Sequence, residues 1–263
     1  TRIGGTDKYE YSTNAVFRDI SAWYHIVVAF DTTQSTASDR VKLYVNGVEQ
    51  SLTATTTASQ NLDTLYNSAQ PHYLGRDGAS QYFDGYLADV HFIDGQALTP
   101  TDFGETDDNG VWQPKKFDGT YGPLVDQSQT WSSALTDSTG FASGYGATKA
   151  FDYITTAANT ARASTQNTTT TFQPATDITY TSKVEVWTYF SGSVRLNGGS
   201  AVTVSNDQDW RTIATGSGTL DTLTFTGSSS SVYLGGIRID NVILVDPGVS
   251  IADNSFHLDF KDN

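Results

Sequence analysis

The sequence predicts an all-β protein built as two β-sandwiches, and three observations lead there. Short segments with apolar–polar alternation recur along the chain, separated by turn residues. One of them, RVKLYVNGVEQ (40–50), contains Asn46-Gly47, the pair favoured in two-residue type I′ hairpins. The composition also suits sheets and turns. Of 29 acidic residues only Glu10, Glu49, Glu105 and Glu185 are glutamate, and 23 Gly, 14 Tyr and 13 Phe accompany the aspartates. Aspartate favours turns, whereas glutamate favours helix interiors.

Taken in order, the strand signals are closely spaced. WYHIVVAFD (23–31) places Tyr24, Ile26, Val28 and Phe30 on one face, with Trp23, His25, Val27 and Ala29 on the other. PHYLGR (71–76) follows the Asn-Gly hairpin. In YFDGYLADVHFIDG (82–95), Tyr86, Ala88, Val90 and Phe92 alternate with Leu87, Asp89, His91 and Ile93. Thr99-Pro100, with Asp102 and Glu105 behind it, predicts a short capped helical turn with Pro in its first position. Many short strands with little helix predict a sandwich of the jelly-roll type.

From about Pro123 the texture turns loop-rich, and strand signals then return. They lie at Lys183 to Phe190, Val194 to Leu196, Arg211 to Ala214, Leu220 to Phe225 and Val232 to Val245. Asp240-Asn241 sits where a hairpin turn would fall in the last run. These strands predict a second sandwich. After Pro247-Gly248 comes one more amphipathic run, SFHLDF, whose Phe256, Leu258 and Phe260 are in phase. A lone terminal strand needs a backbone partner and cover for its apolar face.

Composition excludes several function classes. The net charge of −14 repels phosphate backbones and anionic lipid, so neither nucleic acid nor a membrane surface is an expected partner. No apolar run approaches the ~18 residues of a spanning helix, and membrane insertion is not expected. Cysteine is absent, which removes disulfides and thiolate metal sites. Methionine is absent too, including at position 1, and TRIGGTDKYEYSTN enters in mid-alternation; a segment of a longer chain is expected.

AWYHIVVAFDTT, RVKLYVNGVEQ, YLGR, FDGYLADVHFIDGQALTPTDFGE and VWQPKKFDGTYG together resemble the laminin-G/concanavalin-A-like lectin sandwich. The resemblance is closest to the version in tail-fibre and appendage proteins of marine bacteriophages, particularly those of cyanobacteria. In such relatives the GTYG motif (Gly119 to Gly122 here) runs directly into a GFHLDF-type strand, whereas here SFHLDF follows only after residue 254. The resemblance therefore implies an N-terminally incomplete, discontinuous domain of residues 1–122 plus 251–263. Residues 123–250 would be an inserted sandwich, since insertion at a surface loop is well tolerated. QTWSSAL, KAFD, SVRLNGG, DWRTIATGSGTL and IRIDNVILVD in that stretch resemble small galactose-binding-like or carbohydrate-binding jelly rolls. Relatives often continue KAFD with Gly-Asp; here Tyr153-Ile154-Thr155 follows.

The resemblance implies a non-enzymatic virion-surface protein, a tail fibre or capsid decoration. Its expected partners are host-surface polysaccharide, other virion proteins and copies of itself, trimers being common among such fibres. A surface-polysaccharide depolymerase and a secreted bacterial adhesin are the competing readings. Concanavalin-A-like glucanases need two carboxyls about 5–5.5 Å apart, in alternate register on one strand. The four glutamates stand in no such register, and Glu105-Thr106-Asp107 is followed by Asp108-Asn109-Gly110. Asp89 and His91, two apart on one strand, are the nearest approach to an acid–base pair, with a plain wall strand as the favoured alternative. His25, His72, His91 and His257 lie on separate strands and match no zinc spacing.

Laminin-G-like relatives imply one rim Ca²⁺, for which Asp31, Asp77 and Asp84 stand at strand ends or turns and Asp152 is the equivalent in KAFD. Asp77-Gly78 and Asp84-Gly85 also read as simple turn pairs, the favoured reading. Trp131, Tyr153, Trp187, Tyr189 and Trp210 are the candidate sugar platforms; Trp187 and Tyr189 share a strand face, and a sheet core is the default home of such a pair.

Overall fold

The computed structural model describes residues 2–3, 6–7, 9–62, 64, 66, 72–77, 81–251 and 255–260, and of residues 2, 3, 6, 7 and 77 only the backbone. Strands, short 3₁₀ turns and loops make up the described residues, with no α-helix among them. It divides into two compact units, one of Thr1–Pro123 with Asp253–Asn263 and one of Leu124–Ala252.

The discontinuous unit is a set of small sheets. Ile26–Phe30 pairs antiparallel with Val41–Val45, which continues through a hairpin to Val48–Glu49. Asn46 and Gly47 have φ of 49° and 80° at that turn, the left-handed pair a type I′ hairpin requires. Glu10–Thr13 pairs with Leu52–Thr56, and Gly104–Thr106 with Trp112–Pro114. Thr99 begins the expected capped turn, Pro100–Asp102, where the Asp102 carboxylate accepts hydrogen bonds from the Thr99 N–H (2.8 Å) and hydroxyl (2.9 Å). A small core gathers Tyr9, Val41 and Ala58, with Tyr11, Phe30 and Leu62 against it.

Two expectations change here. The extended run predicted from Tyr86 to Ile93 is strand only over Val90–Phe92. Asp89, at φ 49°, turns the backbone out of the extended region just before it. In Ile26–Phe30 the predicted apolar face is not uniformly covered: Ile26 is 60% exposed and Val28 50%.

Phe256–Leu258 pairs antiparallel with Val90–Phe92, in the register Val90↔Leu258, His91↔His257, Phe92↔Phe256. Asp94 N–H donates to Ser255 Oγ at 2.8 Å, extending the contact. The Phe92 and Phe256 rings stack at 5.5 Å. Yet Phe256, Leu258 and Phe260 remain about 40% exposed. The terminal strand thus has its backbone partner in Val90–Phe92, and its apolar side chains are only partly covered there.

The continuous unit holds most of the buried apolar residues. One sheet runs in the order Val125–Asp126, Val242–Leu244, Tyr233–Ile239, Lys183–Thr188, Asp209–Thr215, and Ala161–Arg162 also pairs with Tyr233–Ile239. The other runs Leu135–Asp137, Thr169–Phe172, Leu223–Gly227, Gly192–Leu196, Val202–Val204. Val184, Val186, Ile237 and Leu234 from the first sheet share one core with Phe172, Leu223, Phe225 and Val194 from the second, joined by Phe151 and Phe190. Asp240 and Asn241 (φ 51° and 70°) make the hairpin turn expected there. Val125–Asp126 lies parallel beside Val242–Leu244, so the first and last strands of the unit are neighbours. Gln127 Nε2 adds bonds to the carbonyls of Asp246 and Val249.

Candidate functional sites: an aromatic rim and a histidine–aspartate cluster

The discontinuous unit carries an aromatic rim that sequence reasoning treated as wall. Arg76–Asp77 and Gln81–Tyr82 form a two-stranded ladder, and Phe83 N–H donates back to the Gly75 carbonyl at 2.7 Å. The chain beyond is irregular, which throws its rings outward. Tyr73 is 51% exposed, Tyr82 68%, Phe83 58% and Tyr86 85%. Arg76 stacks its guanidinium 3.8 Å from the Tyr73 ring centre. Gly75, Arg76, Gln81, Tyr82, Phe83 and Leu87 line a shallow groove, so apolar rings and hydrogen-bonding groups share one surface. The signal was present in YFDGY, where aromatics fall at 82, 83 and 86 and so cannot share one face of a strand.

A second constellation lies on the paired strands Val90–Phe92 and Phe256–Leu258. Cross-strand register sets His91 opposite His257, and their rings stack 4.2 Å apart and 4° from parallel. Asp89 Oδ1 stands 3.1 Å from His257 Nε2. His91 Nδ1 is 2.8 Å from the Tyr121 hydroxyl. Phe103 and Phe117 flank His91 at 5.3 and 5.9 Å. Gln96 Nε2 donates to the carbonyls of Thr120 and Gly122 and so holds the Tyr121 segment beside this strand. Burial pushes the His91 pKa below its ordinary value, with His257 adding to the shift and Asp89 opposing it. Burial, then Asp89, raises that of Tyr121. Neutral imidazole and protonated phenol are therefore favoured together. Spacing could not find this group, because the two histidines lie far apart in the chain.

The candidate sugar platforms of the continuous unit do not converge on an exposed face. Trp131 is 3% exposed, lies in the core and donates Nε1–H to the Asp126 carbonyl at 2.8 Å. Trp187 is 4% exposed and lies over Gly235, where a methyl group would overlap its ring. Neither leaves a ring face for a ligand, and both are corrected to packing roles. A bulge between Trp187 and Thr188 separates Trp187 from Tyr189, which packs edge-on to Tyr233 at 5.6 Å. Trp210, opposite Trp187 across the strands, is half-buried with the Arg238 guanidinium 4.4 Å from its ring. Tyr153 is half-buried at φ 67°.

Beside Trp210 lies a charged group that sequence reasoning missed. Glu185, 4% exposed, receives Arg238 Nε at 2.5 Å and Nη2 at 3.0 Å, with Lys183 Nζ also at 3.0 Å. Burial opposes its ionisation, but the two cations outweigh that and hold its pKa below the ordinary value.

The calcium candidates form no converging group among the described residues. Asp31 caps its own turn, accepting from Thr33 N–H, Thr33 Oγ1 and Gln34 Nε2 at 3.1, 2.6 and 2.6 Å. Asp152 accepts from Asn159 Nδ2 at 2.8 and 2.9 Å and from Ile154 N–H at 3.2 Å, with Lys149 Nζ at 3.6 Å. Asp84 is exposed in the rim, and the Asp77 carboxylate, with Gly78, lies outside the described residues. Asp31 and Asp152 serve as acceptors for their own loops. Among the described residues, the one His/Asp/Glu group of three or more with converging ligand atoms is Asp89, His91 and His257.

Residues 1–102 match the concanavalin A-like lectin/glucanases superfamily. The match covers the N-terminal part of the chain and less than half of its length. The matched segment contains the whole aromatic rim together with Asp89 and His91. The match suggests carbohydrate binding or hydrolysis, since the superfamily holds both lectins and glucanases. No match is found among curated proteins.

Proposed function

We propose that this chain is a non-enzymatic glycan-binding protein that engages carbohydrate through the aromatic rim of its lectin-like domain. The observation that carries the proposal is the group of exposed rings, Tyr73, Tyr82, Phe83 and Tyr86, inside the matched segment and beside Arg76, Gln81 and Asp84. Exposed apolar surface rimmed by polar groups marks interaction sites, and flat rings suit the C–H faces of sugars. The carboxylates support binding over hydrolysis. The four glutamates, Glu10, Glu49, Glu105 and Glu185, stand in no alternate register on one strand. A retaining glucanase needs two carboxyls about 5–5.5 Å apart in such a register.

The wider proposal is a phage virion appendage, a tail fibre or capsid-surface decoration, in which two β-sandwiches, the second inserted in the first, contact host-surface polysaccharide. Other virion proteins and further copies of the chain are its assembly partners. The adjacent first and last strands of the continuous unit support an insertion. The high negative charge suits a salt-rich exterior where repulsion is screened.

Titration of the chain against bacterial-surface polysaccharides, with a reducing-end assay run in parallel, tests the reading. Saturable binding should weaken about tenfold in Tyr82→Ala/Tyr86→Ala, roughly the loss of one good stacking contact. Folding should be unchanged in that variant. Binding unaffected by the substitutions would move the site elsewhere. Release of reducing ends that disappears in Asp89→Asn would replace the binder with a depolymerase.

A further inference from the structure

We infer that Asp89, His91 and His257 form a site for a divalent transition-metal ion of the zinc type, and that the ion clips the returning strand Phe256–Leu258 onto Val90–Phe92. Their ligand atoms all lie within 4.8 Å of one another. Zn–N and Zn–O bonds of about 2.0–2.2 Å place tetrahedral donors roughly 3.3 Å apart, so the donors must close in and the His257 ring must turn out of its parallel stack until both ring planes meet at the ion. The side chains that must move are the freer ones, Asp89 at 59% and His257 at 37% exposure. His91 is already set, with Nδ1 against the Tyr121 hydroxyl. When Nδ1–H donates to that oxygen, Nε2 is left as the ligand, the outer-shell arrangement usual for metal-bound histidine.

Donor chemistry selects the ion. Two imidazole nitrogens and one carboxylate suit zinc and its neighbours, whereas calcium and magnesium take oxygen donors in greater number. Three protein ligands leave a fourth, solvent-facing position.

The strand supplies an independent reason for a clip. It spans three residues, and Phe256, Leu258 and Phe260 are 38%, 40% and 41% exposed, so apolar burial holds it weakly. A ligand from each strand makes metal binding and strand docking one equilibrium. The site does not depend on the glycan reading: sugar binding at the rim could fail with metal binding intact, and the reverse.

The test is calorimetric titration of the metal-stripped full chain with ZnCl₂, with Co²⁺ absorption reporting coordination. Expected results are saturation near one ion per chain, a tetrahedral Co²⁺ spectrum, a zinc-induced rise in Tm, and no competition from millimolar Ca²⁺ or Mg²⁺. His91→Asn or His257→Asn should weaken binding at least tenfold and abolish the Tm rise, and Tyr121→Phe should weaken it about tenfold. Circular dichroism of the metal-free variants checks that they fold. Should a variant not fold, protection of His91 and His257 from diethyl pyrocarbonate by zinc in the wild-type chain decides. Affinity weaker than about 100 µM, binding retained in folded His257→Asn, or no protection would overturn the inference.

Discussion

Trp112 donates its indole Nε1–H to Nδ1 of His25 at 3.0 Å, joining the strand Trp112–Pro114 to the residue just before Ile26–Phe30. The bond requires His25 neutral at Nδ1. Burial pushes the His25 pKa below its ordinary 6.5 in the same direction. Its contribution to stability is therefore complete above pH 6.5 and is lost as pH falls through the lowered native value, because the unfolded chain takes up the proton first. The expected outcome is a Trp112 Nε1–H resonance that titrates with a midpoint under 6.5, with loss of about 1 kcal/mol at the acid end. A midpoint above 6.5 would contradict this.

The Glu185–Arg238 pair should behave differently on the two sides of the ordinary carboxylate range. Arg238→Ala leaves a buried carboxylate with Lys183 and the Thr212 hydroxyl as its remaining partners, and a cost of about 3 kcal/mol is expected by denaturant unfolding at pH 7. Glu185 has its native pKa lowered, so the pair's contribution is present above 4.5 and fades as pH falls through the native value. Glu185→Leu/Arg238→Met should recover most of the loss, since it removes both buried charges and leaves only the Lys183 ammonium, which reaches solvent.

Gly235 tests the packing of Trp187. Gly235→Ala is expected to destabilise by about 1–3 kcal/mol, because its methyl would enter space the indole occupies. Gly146→Ala, with nothing within 4 Å of the added carbon, should change stability by less than about 0.5 kcal/mol. Equal costs at the two positions would remove the steric explanation.

Asp152 separates a turn acceptor from a calcium ligand. Asp152→Ala strands the Ile154 N–H and leaves the Asn159 amide only its bond to the Ile154 carbonyl, and about 1–2 kcal/mol should be lost with or without millimolar calcium. A calcium-dependent rise in Tm present in the wild-type chain and absent in the variant would restore the ligand reading.

Some parts of this fold were legible because one residue type decides them. The Asn46-Gly47 and Asp240-Asn241 turns need left-handed φ at both positions, and few residues other than Gly, Asn and Asp accept it cheaply. The turn at Thr99 closes with a carboxylate three residues on. Alternation in SFHLDF announced a strand seeking a partner. The candidate sites were far less legible. Nothing in QTWSSAL tells whether Trp131 faces solvent, and it proved to be core because Phe172 and its neighbours close over it.

By itself, then, the sequence determined the all-β character, the hairpin turns and which side chains could carry chemistry, since these follow from the preferences of single residues and their near neighbours. The tertiary structure alone decided burial and register. It placed Trp131 and Trp187 inside and the YFDGY rings outside, and it ended the extended run at Asp89. It also set His257 against His91. Burial depends on what the distant chain brings to cover a surface, and cross-strand register depends on which of many equivalent backbone pairings the fold closes; neither is a local property.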